Sequence, residues 1–129
     1  MRKFFCLVVL TALLFACSSK PDPADVAAQA AKQYYGYLLE GKCDAFVDGH
    51  YYPDSIPGSY REQLIDNAKM FIGQQKEEHQ GIKAVRVDNA QADTLNHVAS
   101  VFLVLTYKDG TNEEVVVPMV EHHGLWYMK

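Results

Sequence analysis

A chain of 129 residues is enough for one domain and no more. Its net charge of −4, without a Lys/Arg cluster, argues against nucleic acid as a partner. Its three cysteines, Cys6, Cys17 and Cys43, are spaced in a way that builds no internal disulfide framework once the N-terminal segment is understood.

Arg2 and Lys3 open the chain as a positive patch, and Phe4 to Phe15 follow as an apolar stretch broken only by Thr11. That run is shorter than the roughly 20 residues a membrane-spanning helix needs, and it suits the apolar core of an export signal. Small Ala16 precedes Cys17. The segment Leu13-Leu14-Phe15-Ala16-Cys17 resembles the lipobox of bacterial lipoproteins. The resemblance implies cleavage before Cys17, acylation of its thiol by palmitate-like chains, and acylation of the new amine. Residues 1–16 are then a lipoprotein signal peptide, 17–23 a tether rich in Ser and Pro, and 24–129 the folded domain. Removing Arg2 and Lys3 takes the net charge to −6, so no basic patch helps membrane binding and the lipid is the expected anchor. Each buried CH₂ contributes about 0.8 kcal/mol, so two or three acyl chains hold firmly where one does not. The expected location is the cell envelope, at the outer membrane, because Ser18 stands where an inner-membrane retention Asp is often found. Cys6 leaves with the signal and Cys17 is alkylated, which leaves Cys43 as a lone thiol expected to pack as a small hydrophobe.

The spacing predicts a first helix capped by Asp22, with Pro23 at its first position and Gly41 as its stop. Val26, Ala30, Tyr34, Tyr37 and Leu38 recur on one helical face. A short second helix is expected over Cys43 to Asp48, ended by Gly49, followed by a loop from Tyr51 to Gly58 broken by Pro53 and Pro57. Ser59 and Glu62 read as a capping box for a third helix from near Tyr60, with Leu64, Ala68, Phe71, Ile72 and Gln75 on its apolar face and Gly81 as its stop.

From Ile82 the period becomes two. The predicted strands are Ile82 to Asp88, His97 to Tyr107, Glu113 to His122 and Leu125 to Met128. Asp109-Gly110 marks a tight turn between the second and third. Pro118 assigns the third strand to an edge or a bulge. Ala99, Val101, Leu103, Leu105 and Tyr107 line one face of the second strand, and Val98, Ser100, Phe102, Val104 and Thr106 the other. Helices should cover one face of such a sheet, giving an α+β domain.

The stretch Leu38-Leu39-Glu40-Gly41-Lys42-Cys43-Asp44-Ala45-Phe46 and the closing Gly124-Leu125-Trp126-Tyr127, together with the lipobox and the strand, Asp-Gly turn, strand order, resemble the small DUF4878-type lipoproteins common in Bacteroidetes. That family belongs to the NTF2-like (cystatin-like, SnoaL-like) superfamily. The resemblance implies a cone of about three N-terminal helices on a curved four-stranded antiparallel sheet, often with a pocket between them. Related folds host isomerases, dehydratases, binding proteins and assembly subunits, so the fold by itself does not choose a function.

The residues point to no catalytic motif, no cofactor and no metal site. His122 and His123 are adjacent and should face opposite sides of a strand, while His50, His79 and His97 have no i, i+4 partner. An isomerase-type site would need a buried carboxylate base with an acidic donor nearby, and Asp44 or Asp48 with Tyr34, Tyr37, Tyr51 or Tyr52 are the candidates. The aromatic set Tyr34, Tyr51, Tyr52, Phe71, Phe102 and Trp126 is the candidate ligand-binding surface, with Tyr51-Tyr52 singled out by its place in a loop. Trp126 is expected to pack on the helical layer. Asp54-Ser55-Ile56 and Asp93-Thr94-Leu95 resemble the acceptor motif of Bacteroidetes O-glycosylation, with Ser55 the better site and Thr94 the second. Three readings stay open: a non-catalytic module binding a small ligand or an envelope protein, a small-molecule isomerase or dehydratase, and an accessory subunit that forms a homodimer through its sheet.

Overall fold

The computed structural model describes residues 21–129, so the signal, Cys17 and most of the tether lie outside the described residues. Three helices, α1 (Pro23–Leu39), α2 (Cys43–Asp48) and α3 (Gly58–His79), precede four strands, β1 (Ile82–Asp93), β2 (Val98–Tyr107), β3 (Asn112–His122) and β4 (Leu125–Met128). The strands form one antiparallel meander in the order β1-β2-β3-β4, and the helices pack on one of its faces. No helix among the described residues is long and apolar enough to cross a membrane.

α1 begins as its sequence dictates: Asp22 is the cap, its carboxylate accepting the Ala24 N–H at 3.0 Å, and Pro23 follows at the first helical position. The face it buries is not centred as expected. Ala27, Ala28, Ala31 and Leu38 are buried, whereas Val26 is exposed. The small alanines let the helix lie close over β1 and β2, and a close approach selects small side chains over the more apolar Val26. Together with Val101, Leu103, Val117, Met119, Trp126 and Met128 they make the main core. A second core joins Leu38, Cys43, Val47, Ile65 and Ala68 where α2 and α3 meet α1. Cys43 is buried there.

Four expectations need correction. α3 starts at Gly58 with Pro57 as its cap and no side-chain capping bond. The Ser59–Glu62 capping box therefore does not form, because Ser59 already lies inside the first turn. β1 runs to Asp93, five residues beyond its predicted end. The register shifts between Val87 and Asn89, so the inward residues change phase from Val85 and Val87 to Ala90 and Ala92. A bulge breaks strict alternation while pairing continues, so a reading by period alone ends the strand there. β3 is an interior strand, although Pro118 pointed to an edge. The Pro118 carbonyl accepts the Lys129 N–H at 2.9 Å, so its missing N–H faces the place where the short β4 ends. His97 lies in a turn with φ 56° and not in β2.

The free side of β4 is covered. The Met128 N–H donates to the Gly49 carbonyl at 2.8 Å and the Tyr51 N–H donates to the Met128 carbonyl at 2.7 Å, clipping the end of α2 to the last strand. At the other end of the sheet, His79 stacks on Tyr107 with ring centroids 4.3 Å apart, and its Nδ1 lies 2.9 Å from Asp109 Oδ2. Asp109 also accepts from the Thr111 N–H and hydroxyl, and these bonds with His79 hold its carboxyl at about 2. A carboxyl depressed by native bonds stabilises the fold above its unfolded pKa of about 3.9 and loses that contribution as pH falls through its folded value. The gap in urea midpoint between the native chain and Asp109→Asn should therefore close as pH falls from about 4 to 2. A gap that stays constant down to pH 2 would show that the carboxylate charge contributes nothing.

Candidate ligand cavity

A cavity of about 490 Å³ lies between the helices, open to solvent on one side. Its walls come from five separate stretches. The last turns of α1 give Tyr35 and Leu38, and α2 gives Phe46 and Val47. The loop after α2 gives His50, Tyr51 and Tyr52, α3 gives Tyr60, Leu64, Asn67, Ala68 and Phe71, and Lys129 completes the lining. The volume falls in the usual range for small-molecule sites, about 300–1,000 Å³, and the lining is mostly apolar and aromatic as such sites are. A shallower hollow of about 290 Å³ adjoins it, sharing His50, Tyr51 and Tyr52 and adding Pro53, His122 and Tyr127.

The loop is held by its own hydrogen bonds. His50 Nδ1 approaches the carbonyls of Phe46 and Val47 at 3.2 and 3.3 Å. Both partners only accept, so Nδ1 carries the proton and donates. The Tyr52 hydroxyl donates to the Val47 carbonyl at 3.1 Å. Phe46 stands between two rings set edge-on to it, Tyr35 at 5.5 Å and His50 at 5.2 Å. Burial raises the Tyr35 hydroxyl above its ordinary pKa, so it keeps its proton and remains a donor.

Of the six aromatics singled out in the sequence, Tyr51, Tyr52 and Phe71 line the cavity. The other three do not. Tyr34 packs against the main core and donates its hydroxyl to the Trp126 carbonyl at 2.6 Å, a link between α1 and β4. Trp126 is 5% exposed in the main core, packed on the helical layer as expected. Phe102 lies on the sheet face away from the helices, paired with Asn89 and Val116. One strand position separates it from the inward Val101 and Leu103, and period two sends it outward.

The carboxylates proposed as bases are elsewhere. Asp48 is held by Arg61 through two bonds of 2.9 and 2.8 Å, which lower its pKa, and Asp44 accepts the Ala45 N–H. Neither lines the cavity. His122 and His123 do not face apart: His123 leaves the strand with φ 51° and its ring lies 4.0 Å from that of His122. Ser55 is exposed in the loop before α3 and Thr94 is exposed in the turn after β1. Sequence reasoning missed His50, Tyr60 and Asn67 as cavity residues. The only local signal was the run His50-Tyr51-Tyr52 directly after a helix-ending glycine.

No family model matches the chain, and no curated protein matches it in sequence. Solved structures do match its fold. One is described as an NTF2-like transpeptidase from Campylobacter jejuni, with a TM-score of 0.64 at 10% identity, covering 78% of this chain and 94% of the other. Another is Aln2 from a Streptomyces species, with a TM-score of 0.51 at 12% identity, covering 85% and 89%. At such identities the likeness is one of fold, and the fold of this chain is the NTF2-like α+β arrangement of helices on an open four-stranded antiparallel sheet.

Proposed function

We propose that this protein is a non-catalytic module that binds a small apolar ligand and is held at the cell envelope, at the outer membrane, by a lipid on Cys17. The observation that carries the binding role is the half-open aromatic cavity with no Asp or Glu side chain among its lining residues. An isomerase or dehydratase of this fold needs a base at the reacting carbon, and Asp44 and Asp48 are spent outside the cavity.

Filling the cavity tests the reading. Leu64→Trp places a large ring where a half-buried leucine now lines the wall. In the chain from Ser18 onward, which retains every described element, the variant should keep its circular dichroism and lose at least about tenfold in affinity for Nile red. Equal dye affinity in both proteins would remove the cavity as a binding site. The anchor has its own test: Cys17→Ser should move the protein out of the membrane fraction and abolish labelling by a fatty-acid probe, and a mutant that still labels would end the lipoprotein reading.

The outer sheet face supports a second reading, the accessory subunit that dimerises. Val116 is 55% exposed there beside Phe102, an apolar surface that pairing within the sheet does not cover. Native mass spectrometry of protein from its own host would read three things at once: a homodimer, acyl chains on Cys17, and sugar on the exposed Ser55 or Thr94. A monomer with the bare polypeptide mass would exclude all three.

A further inference from the structure

Two turns meet at one end of the sheet. The Glu121 N–H donates to the His97 carbonyl at 2.8 Å, and His97 Nδ1 lies 2.9 Å from Glu121 Oε1, so the β1–β2 turn sits against the end of β3. Each turn region presents a leucine to solvent. Leu95 is 90% exposed, and Leu125, opposite His122, is 60% exposed. The β1–β2 turn is braced: the Asp93 carboxylate accepts from the Asn96 N–H at 3.3 Å and from its side-chain amide at 2.7 Å. Turn positions favour Gly, Asn, Asp and Ser, so a leucine held out on a braced turn needs a reason. α1 begins toward this same end. Its last residues, Leu38 and Leu39, share a hollow with Gly81, Ile82 and Lys108 at the opposite end of the sheet. Its 17 residues make a helix about 25 Å long. Ala27, Ala28 and Ala31 in its first half belong to the core that includes Ala92, Ala99 and Met119, the strand residues next to the two turns.

The chain between Cys17 and α1 is short. Whatever its arrangement, the stretch from Cys17 to Pro23 spans about 20 Å at most. A lipid on Cys17 therefore keeps the start of α1, and with it this end of the sheet, within that distance of the bilayer. Among the described residues, neither turn nor the first turn of α1 holds a Lys or Arg, while Asp25, Asp93 and Glu121 stand there. Anionic lipid thus offers this end no attraction, and any contact with the membrane must be apolar. We propose that this end of the domain docks on a zwitterionic membrane surface, with Leu95 and Leu125 sinking into the lipid interface beside the anchor. The proposal rests on the lipid at Cys17 and adds to it the orientation of the domain. The tether keeps the local concentration of lipid high, so two leucines suffice where an unanchored domain with the same residues would not bind.

The test uses the acylated protein reconstituted into phosphatidylcholine vesicles. Leu95→Cys, Leu125→Cys and, as a control, Met70→Cys on the exposed side of α3 are each labelled with nitrobenzoxadiazole at the introduced thiol. Cys43 is buried and does not compete for the label. Emission from positions 95 and 125 should shift to the blue and be quenched by a spin label carried on the lipid, while position 70 reads as water. The shift should survive about 1 M sodium chloride, where exposed charges are screened within a few ångströms. Adding Leu95→Ser to the chain labelled at position 125 should remove most of the shift. If the protein is acylated and vesicle-bound but positions 95 and 125 read as position 70 does, the docking is overturned and the anchor stands. If its mass shows no acyl chain on Cys17, both fall. A shift lost in salt would overturn the apolar contact, and a full shift retained with Leu95→Ser would overturn the role of Leu95. The unlabelled native chain gives a check free of the probe: amide hydrogen exchange at residues 94–97 and 123–125 should slow on the vesicles, and exchange equal to that in detergent-free solution of the chain from Ser18 onward would overturn the proposal. Sugar found on Thr94 would overturn it as well, because a glycan beside Leu95 holds the turn off the lipid.

Discussion

Trp126→Ala is expected to lower the unfolding free energy by about 3–5 kcal/mol, the usual cost of truncating a buried large aromatic. For a domain of this size that is a fall in melting temperature of roughly 12–20 °C. The surroundings leave little room for relaxation. Trp126 sits in a strand of four residues, beneath α1 and among Ala27, Ala28, Ala31, Met119 and Met128. Alanine methyl groups cannot extend into the vacated space, and only the two methionines are long enough to collapse partly into it. The Tyr34 bond is to the Trp126 carbonyl and survives the substitution, so the loss should report packing alone. Urea unfolding at constant m-value is the measurement. A midpoint that hardly moves would mean that β4 is not seated on the helical layer.

The second large effect is expected at Gly49, for a reason its place in the sequence does not reveal. Its φ is −76°, which any residue adopts, so conformational freedom is not why glycine stands there. A Cβ at this position would lie 2.5, 2.8 and 2.9 Å from Cδ1, Cε1 and Cγ of the Tyr34 ring. That ring cannot swing away freely, because its hydroxyl is fixed to the Trp126 carbonyl. The Gly49 carbonyl is itself bonded to Met128, so the backbone cannot retreat without opening the clip over β4. Gly49→Ala should therefore cost about 1–3 kcal/mol, as overpacking does. Thermal unfolding of a double-mutant cycle with Tyr34→Leu isolates the cause. The two substitutions together should cost less than the sum of their separate effects, with a coupling of about 0.5–3 kcal/mol. Strict additivity would show that the contact with Tyr34 is not the source.

Much of this architecture was legible in the chain. Asp22 and Pro23 announce α1, the break at Gly41 separates it from α2, and the alternation from Val98 to Tyr107 gives the central strand and sorts its residues into two faces, of which the structure buries the one with Val101, Leu103 and Leu105. The burial of Cys43 and the inward placement of Trp126 followed from the same local logic. These features depend on residues within a few positions of one another, so caps, turns and periods encode them directly. The α+β class followed from three helical patterns before four strand patterns, since a sheet with apolar residues on both faces needs a covering layer.

The rest was decided by contacts between distant segments. The bulge at Val87–Asn89 hid the second half of β1, because the pairing that sustains Asn89 to Asp93 comes from β2 and not from their own composition. Ser59 offered a cap, but the backbone entering from Pro57 already starts the helix at Gly58, ahead of the position that motif requires. The cavity was readable only in part, at aromatics such as Tyr51, Tyr52 and Phe71, since its walls come from residues 35 to 129 and no local pattern records which side chains meet across that span. His50 looked like any turn histidine. Its bonds to the Phe46 and Val47 carbonyls and its packing on Phe46 are local, but it enters a cavity wall only because residues of α1 and α3, distant in the chain, line the same space. The sequence by itself determined the elements and which of their faces are apolar. The tertiary structure decided where those faces fail to meet, because a cavity is set by the packing of whole elements and not by the preference of any one residue.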